Sequence, residues 1–416
     1  MPRSRPLAAG CVLLLLCGAC SGGDAPDAWA GSVDTLASGT VVVRNPETGV
    51  WKEGEGWTLE ETLRIGSADE VGPELFGSVA AVEVDALGRI WVLERHAKEL
   101  RVFGADGAHV RTIGREGAGP GEFRDPIGLA WAPDGTLWVA DPGNARYTVL
   151  DTAGALRTTH PRPIGGYSIP WKGRVDADGR VTEVAFAQPR GEFRTAVLRF
   201  RPAGGTADTL VMPPERSEQF ELTSGSGGRM SRTMVGVPFT AGLDVRLDPR
   251  GGVWTAFSDR TVFHLQEIDG DTALVVERPH RPVPVTDADR AQALKDLEWF
   301  TRQGGRVDLG RLPAHKPAFT FFVADDEGNL WVRPQTPGGE GEGTPLDVYG
   351  ADGRYLGRAH LAGGLDRYPP PVVRNGAIYG VASDEMEVAY VVRITIHRAG
   401  GKPGVRRDRP AGVRVP

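Results

Sequence analysis

Glu94 beside His96, the cluster of Asp141, Asn144 and Arg146, and the adjacent Asp259 and Arg260 are the residues of this chain best equipped for chemistry. A carboxylate can hold a divalent cation or take a proton, an imidazole can do either, and a guanidinium binds carboxylate or phosphate oxygens. Arg124, Tyr167, Lys316 and Arg333 extend the set with further hydrogen-bonding and cationic groups. No catalytic pattern encloses them. The serines offer no Gly-x-Ser-x-Gly, and the 8 histidines show neither His-Glu-x-x-His nor a paired zinc spacing. The acidic runs Asp176 to Gly179 and Asp325 to Gly328 lack the third spaced acid and the distal Glu of an EF-hand, and read as turn chemistry. Gly338 to Gly343 lacks the lysine of a phosphate cradle, and its Glu340 and Glu342 would repel phosphate. No cofactor is expected. If a divalent cation such as calcium is held, Glu94, Asp141 and Asp259 are the carboxylates expected to hold it.

The frame for these residues is visible between Ile113 and Leu150. A Gly/Pro loop leads into the apolar run Ile127 to Trp131, the turn Pro133-Asp134-Gly135, a second apolar run through Leu137, Trp138 and Val139, the turn Asp141 to Asn144, and a third strand from Tyr147. This is a β-meander. Gly119-Pro120-Gly121-Glu122-Phe123, Pro126, Gly128, Asp134-Gly135, Trp138 to Asp141, Asn144 and Arg146 resemble an NHL repeat. That resemblance implies a six-bladed β-propeller and says little about activity.

The skeleton recurs. A glycine followed three positions later by an aromatic occurs at Gly88/Trp91, Gly135/Trp138, Gly251/Trp254, Gly328/Trp331 and Gly376/Tyr379, with a degenerate copy at Gly179/Thr182. Asp85, Asp176, Asp248 and Asp325 each precede the glycine by three. Close neighbours are spaced by roughly 44 to 48 residues, the length of a four-stranded blade, and insertions stretch the spacing around Gly251. The fold predicted is all-β: a six-bladed propeller of four-stranded antiparallel blades over residues 40–398. The N-terminal strands Val41 to Val43 and Trp57 to Ile65 are expected to close the last blade, which otherwise runs from Val372 to Ile396. Of the 10 tryptophans, those at the repeat position are expected to pack between blades.

In a meander, loops joining the second and third strands lie on the same face as those leading into the next inner strand. All the candidates named above fall in such loops, around an axial funnel where propellers commonly take ligands. Asp141, Asn144 and Arg146 read first as residues that tie turn and blade together.

Two insertions interrupt the array, at about 203–238 and 279–317. The first contains Ser224 to Gly228, too rich in Gly and Ser to be expected to pack alone. The second carries a Thr286 cap with Asp289 at the third helical position, predicting one helix to about Gln303 with Ala293, Leu294, Leu297, Phe300 and Thr301 on one face. It is read as a helix laid across one end of the propeller.

The ends of the chain give an address. Arg3 and Arg5 precede an apolar core from Leu7 to Leu16, and Gly18-Ala19-Cys20 resembles a bacterial lipobox, with Cys17 where that motif normally has Leu. The expectation is a lipoprotein-type signal over residues 1–20, lipidation of Cys20, a flexible tether over 21–39 and a disordered basic tail over 399–416. All 3 cysteines lie within this leader, so no disulfide is available downstream. A net charge of -6 gives no electrostatic case for nucleic acid. The predicted protein is exported and membrane-anchored in the bacterial cell envelope, on the periplasmic side or at the outer membrane. It is read as a monomer and a non-catalytic binding module for an envelope protein, glycan or small ligand. The alternative is a metal-dependent, lactonase-like hydrolase with its ion in the funnel.

Overall fold

The computed structural model describes residues 29–398, apart from 69–70, 163–170, 172, 188–193, 205–206, 215–217, 227–228 and 338–342. The predicted leader, Cys20, the first part of the tether, Tyr167 and the basic tail lie outside the described residues. Six sheets follow one another around an axis, each an antiparallel meander running from the axis outward. Their inner strands are Val79–Val84, Gly128–Trp131, Gly173–Val175, Leu243–Leu247, Phe319–Ala324 and Val372–Arg374. Each is followed by the tight turn and second strand that the sequence repeat marks. The fold is the six-bladed propeller that the spacing predicts, and among the described residues its α-helices are confined to one insertion.

The turn between first and second strands is built the same way in three blades. Asp85, Asp248 and Asp325 are almost wholly buried, and one oxygen of each accepts main-chain N–H groups of its own turn. The other oxygen accepts the indole N–H of Trp91, Trp254 or Trp331 at 2.9–3.0 Å. The indole then fills the gap to the next blade: Trp91 packs with Leu129 and Val139, Trp254 with Phe319 and Phe322, and Trp331 with Val373 and Ile378. Burying an indole while satisfying its one donor makes this position suited to Trp. In blade three Thr182 stands instead, and Val184 and Val197 meet Val245 and Val253 across a smaller core.

The N-terminal segment departs from expectation. Thr58–Ile65 does close the last blade, pairing antiparallel with Ala389–His397 as its outer strand. Val41–Arg44 does not. It lies parallel to Thr272–Glu277 on the rim of blade four, and Ser32–Thr35, expected as tether, pairs antiparallel with it, giving that blade six strands. Buried Val42 and Val43 account for the placement, since the rim of blade four offers them Val276 and its neighbours as cover. Asn45 then bridges blades four and five: its amide donates to the Gly353 carbonyl at 2.9 Å and its carbonyl accepts the Tyr355 N–H at 2.6 Å. Trp51 pairs its main chain with Leu356 of blade five and meets Trp57 in a tilted contact at 5.3 Å, and Trp57 meets Trp331 at 5.6 Å. The segment is thus a strap over three consecutive blades.

The two insertions form one small module. Gln219–Ser226 and Arg229–Gly236 are a β-hairpin, so Ser224 to Ser226 of the Gly/Ser stretch, not expected to pack alone, lie in a paired strand. Thr286 caps the first helix, Asp287–Asp296, in a reciprocal capping box with Asp289. The chain breaks at Leu297 before a second short helix, Glu298–Arg302, where one helix was expected. Phe220, Val237, Leu297, Phe300 and Leu312 form its core, while Leu294, expected on the buried face, is 39% exposed.

Candidate functional site

Five of the candidate residues named from the sequence, Glu94, Asp141, Asn144, Arg146 and Arg333, are held by the protein's own backbone. Asp141 is fully buried, and its carboxylate accepts the N–H groups of Arg124, Asp125 and Asn144 and the Asn144 side-chain amide at 2.7–3.3 Å. Asn144 also donates to the Gly117 carbonyl, and Arg146 to those of Ala118, Gly119 and Glu122. Glu94 is equally enclosed, accepting the main-chain N–H groups of Ser78 and Ala97. His96 and Arg124 are exposed near these turns. Asp259 pairs with Arg260 on the surface, Lys316 reaches Asp289 of the first helix at 2.7 Å, and Arg333 donates to the Leu365 carbonyl.

Glu94, Asp141 and Asp259 therefore sit apart on blades one, two and four. Oxygens already ringed by N–H donors present the wrong polarity to a cation. Among the described residues no group of three or more His, Cys, Asp or Glu side chains is placed to hold a metal.

An enclosed space lies elsewhere. A cavity of about 510 Å³ follows the axis and is lined from the inner strands of all six blades. Its described walls include Leu129, Trp131, Trp171 and the run Pro369 to Pro371, and it reaches the turns at Pro249, Arg250, Asp326 and Arg374. Those turns join first and second strands, so this end of the cavity lies on the face opposite to the candidate loops. Trp171 owes its place to absent side chains: a Cβ on Gly128 would lie 2.6 Å from its Cβ, and one on Gly173 would strike its ring. Its indole N–H is held by the buried Glu183 carboxylate, which also accepts from Arg162 and Tyr147. Gly128 of the repeat motif thus makes room for a wall of the cavity.

None of the charged residues of this cavity is a site candidate from the sequence, where Asp326 reads as turn chemistry. They are Glu83, Arg174, Arg246, Arg250, Asp326 and Arg374. Glu83, Arg174 and Arg246 occupy one register, two positions before the turn aspartates Asp85, Asp176 and Asp248. A charge repeated in otherwise apolar inner strands was a signal open to the sequence. Arg246 donates to the Phe322 carbonyl and pairs with Asp244 at 3.0 Å. Arg250 grips Asp248 with two donors at 3.1–3.2 Å, and Arg174 donates to the main-chain carbonyl of Asp248. Desolvation pushes the Glu83 carboxyl up to about 7, against the opposing pull of the Arg374 charge. Asp326 is raised as well, by desolvation first and then by Asp325 among other groups.

On the opposite face a second pocket of about 310 Å³ lies among the connections into blades four, five and six, lined by Phe239, Asp244, Ser258, Gln335, Arg367 and Tyr368 among others. Asp244 borders this pocket while its partner Arg246 borders the axial cavity.

A family model described as a 6-bladed beta-propeller matches residues 73–128, the first blade and the connection into the second. No curated protein matches the chain. Among solved structures, a member of the duf4221 family from Bacteroides vulgatus is 11% identical, covering 83% of this chain and 99% of its own, with a TM-score of 0.50. A virginiamycin B lyase from Staphylococcus aureus is 11% identical over 82% and 99%, with a TM-score of 0.42. A gluconolactonase from Xanthomonas campestris is 13% identical over 77% and 88%, with a TM-score of 0.39. At such identities the likeness is one of fold.

Proposed function

We propose that this protein is a non-catalytic ligand-binding propeller of the bacterial cell envelope, exported, anchored through lipid on Cys20, and taking a small ligand into its axial cavity. The observation that carries the reading is the cavity itself: about 510 Å³ bounded by all six blades, with apolar walls and charged groups that converge on one space. Its size falls within the range of about 300–1,000 Å³ occupied by small-molecule sites. Trp131 and Trp171 in the wall make the site self-reporting. A fluorescence screen of anionic, neutral and cationic small molecules should find saturable quenching by at least one class, and silence across all three classes would sink the reading. The anchor is tested separately. Metabolic labelling with palmitate should mark the wild-type chain and its membrane fraction, and Cys20→Ser should remove both signals.

A further inference from the structure

The axial cavity has an unbalanced charge. Of its four arginines, Arg246 is paired with Asp244 and Arg250 with Asp248. Arg174 has only a neutral carbonyl acceptor, and burial lowers its pKa, though a guanidinium stays charged under any ordinary condition. The Arg374 side chain is half-buried and forms no hydrogen bond or ion pair with another described residue, though its charge acts on Glu83 and Asp326. Two guanidinium groups therefore reach the cavity without a carboxylate bonded to them. Against them stand Glu83 and the exposed Asp326 at the mouth, with Asp248, Asp176 and Glu267 acting on Arg174 without bonding its side chain. Blade two adds only Leu129, Ala130 and Trp131, and no charge.

We propose that the axial cavity binds a small organic anion bearing two or more carboxylate or phosphate groups, gripped by Arg374 and Arg174. This rests on reading the cavity as the ligand site. The planar fork of a guanidinium matches the paired oxygens of a carboxylate or phosphate. Apolar walls around it strengthen the attraction and accommodate a carbon skeleton. A half-buried guanidinium without a partner is costly unless something supplies one. Glu83 sets the conditions. The charged groups around it from the other blades are Arg174, Arg246, Arg250, Asp326 and Arg374, so when it takes up a proton the cavity becomes more positive. An anion should therefore bind more tightly as pH falls through about 7.

Calorimetric titration of the full chain, as the cell processes it and in detergent, tests the assignment. The probes are tartrate, whose carboxylates stay ionised near neutrality, and threitol, its uncharged counterpart. Tartrate should saturate while threitol does not. Arg374→Gln should weaken tartrate at least about tenfold without lowering the melting temperature, because that side chain forms no hydrogen bond or ion pair with another described residue. Glu83→Gln should tighten tartrate at about pH 8 and abolish the gain that the wild type shows at about pH 6. Tartrate binding no better than threitol, or binding unaltered by Arg374→Gln, overturns the anion assignment. In either case, quenching by a neutral or cationic compound would leave the cavity standing as a site for a different ligand.

Discussion

At Asp85, Asp248 and Asp325 a single carboxylate closes a turn with one oxygen and holds an interblade indole with the other. The spacing of Asp, Gly and Trp is plain in the sequence, and so is the packing role of the indole; the bond joining the two side chains is not, because both groups have ordinary reasons to stand where they do. Trp331→Phe keeps an aromatic ring but removes the donor to Asp325, whose oxygen retains the Asn329 amide. It should cost about 1–3 kcal/mol in urea unfolding, from the lost hydrogen bond and the packing lost with the smaller ring. Asp141 and Glu94 show the limit of reading side-chain chemistry from position. Turn loops collect acids to satisfy their own N–H groups as readily as to meet a ligand, and the sequence alone does not separate the two. Asp141→Ala, which strips the acceptor from three main-chain N–H groups and an amide, should cost about 2–4 kcal/mol, whereas Asp259→Ala at the surface should stay within about 0.5 kcal/mol.

Elements whose signal is local were legible. The Thr286 capping box was visible as residue types at fixed offsets, and the strands of blades one, two and five as apolar runs between turns. Elements defined by a distant partner were not. Val41–Arg44 has the composition of any strand, and nothing in it chooses the rim of blade four over the last blade. The pairing of Gln219–Ser226 with Arg229–Gly236 escaped notice because the sequence there is rich in Gly and Ser, while its support comes from helices roughly eighty residues later. Phe300 is the test of that partnership. Phe300→Ala should remove about 3–5 kcal/mol from the insertion core, opening residues 219–236 to limited proteolysis while the main melting transition of the propeller stays in place.

On the scale of the whole molecule, the ring is stabilised by contacts between consecutive blades, and its axis is where charge is concentrated at a cost. Glu83 has a folded-state pKa of about 7 against an ordinary value of 4.5, so between those limits the folded protein holds a proton that the unfolded chain has released. Stability contributed at this site is therefore lost as pH rises through that window. Urea midpoints of the wild type should fall relative to those of Glu83→Gln from about pH 4.5 to about pH 7. A carboxyl kept in the axis at such a cost is consistent with a site maintained for binding.

The strap over blades four, five and six has a mechanical consequence. Tension applied to the chain upstream of residue 29 meets Ser32–Thr35 first, then the parallel pairing of Val41–Arg44, then Asn45 and Trp51, before any of it reaches the strand that locks the ring at Thr58–Ile65. Successive attachments on separate blades would yield one at a time, as a fuse does. Pulled from this end in an optical trap, the molecule should lengthen in small early steps while the propeller remains closed, with ring opening reserved for the final and largest event.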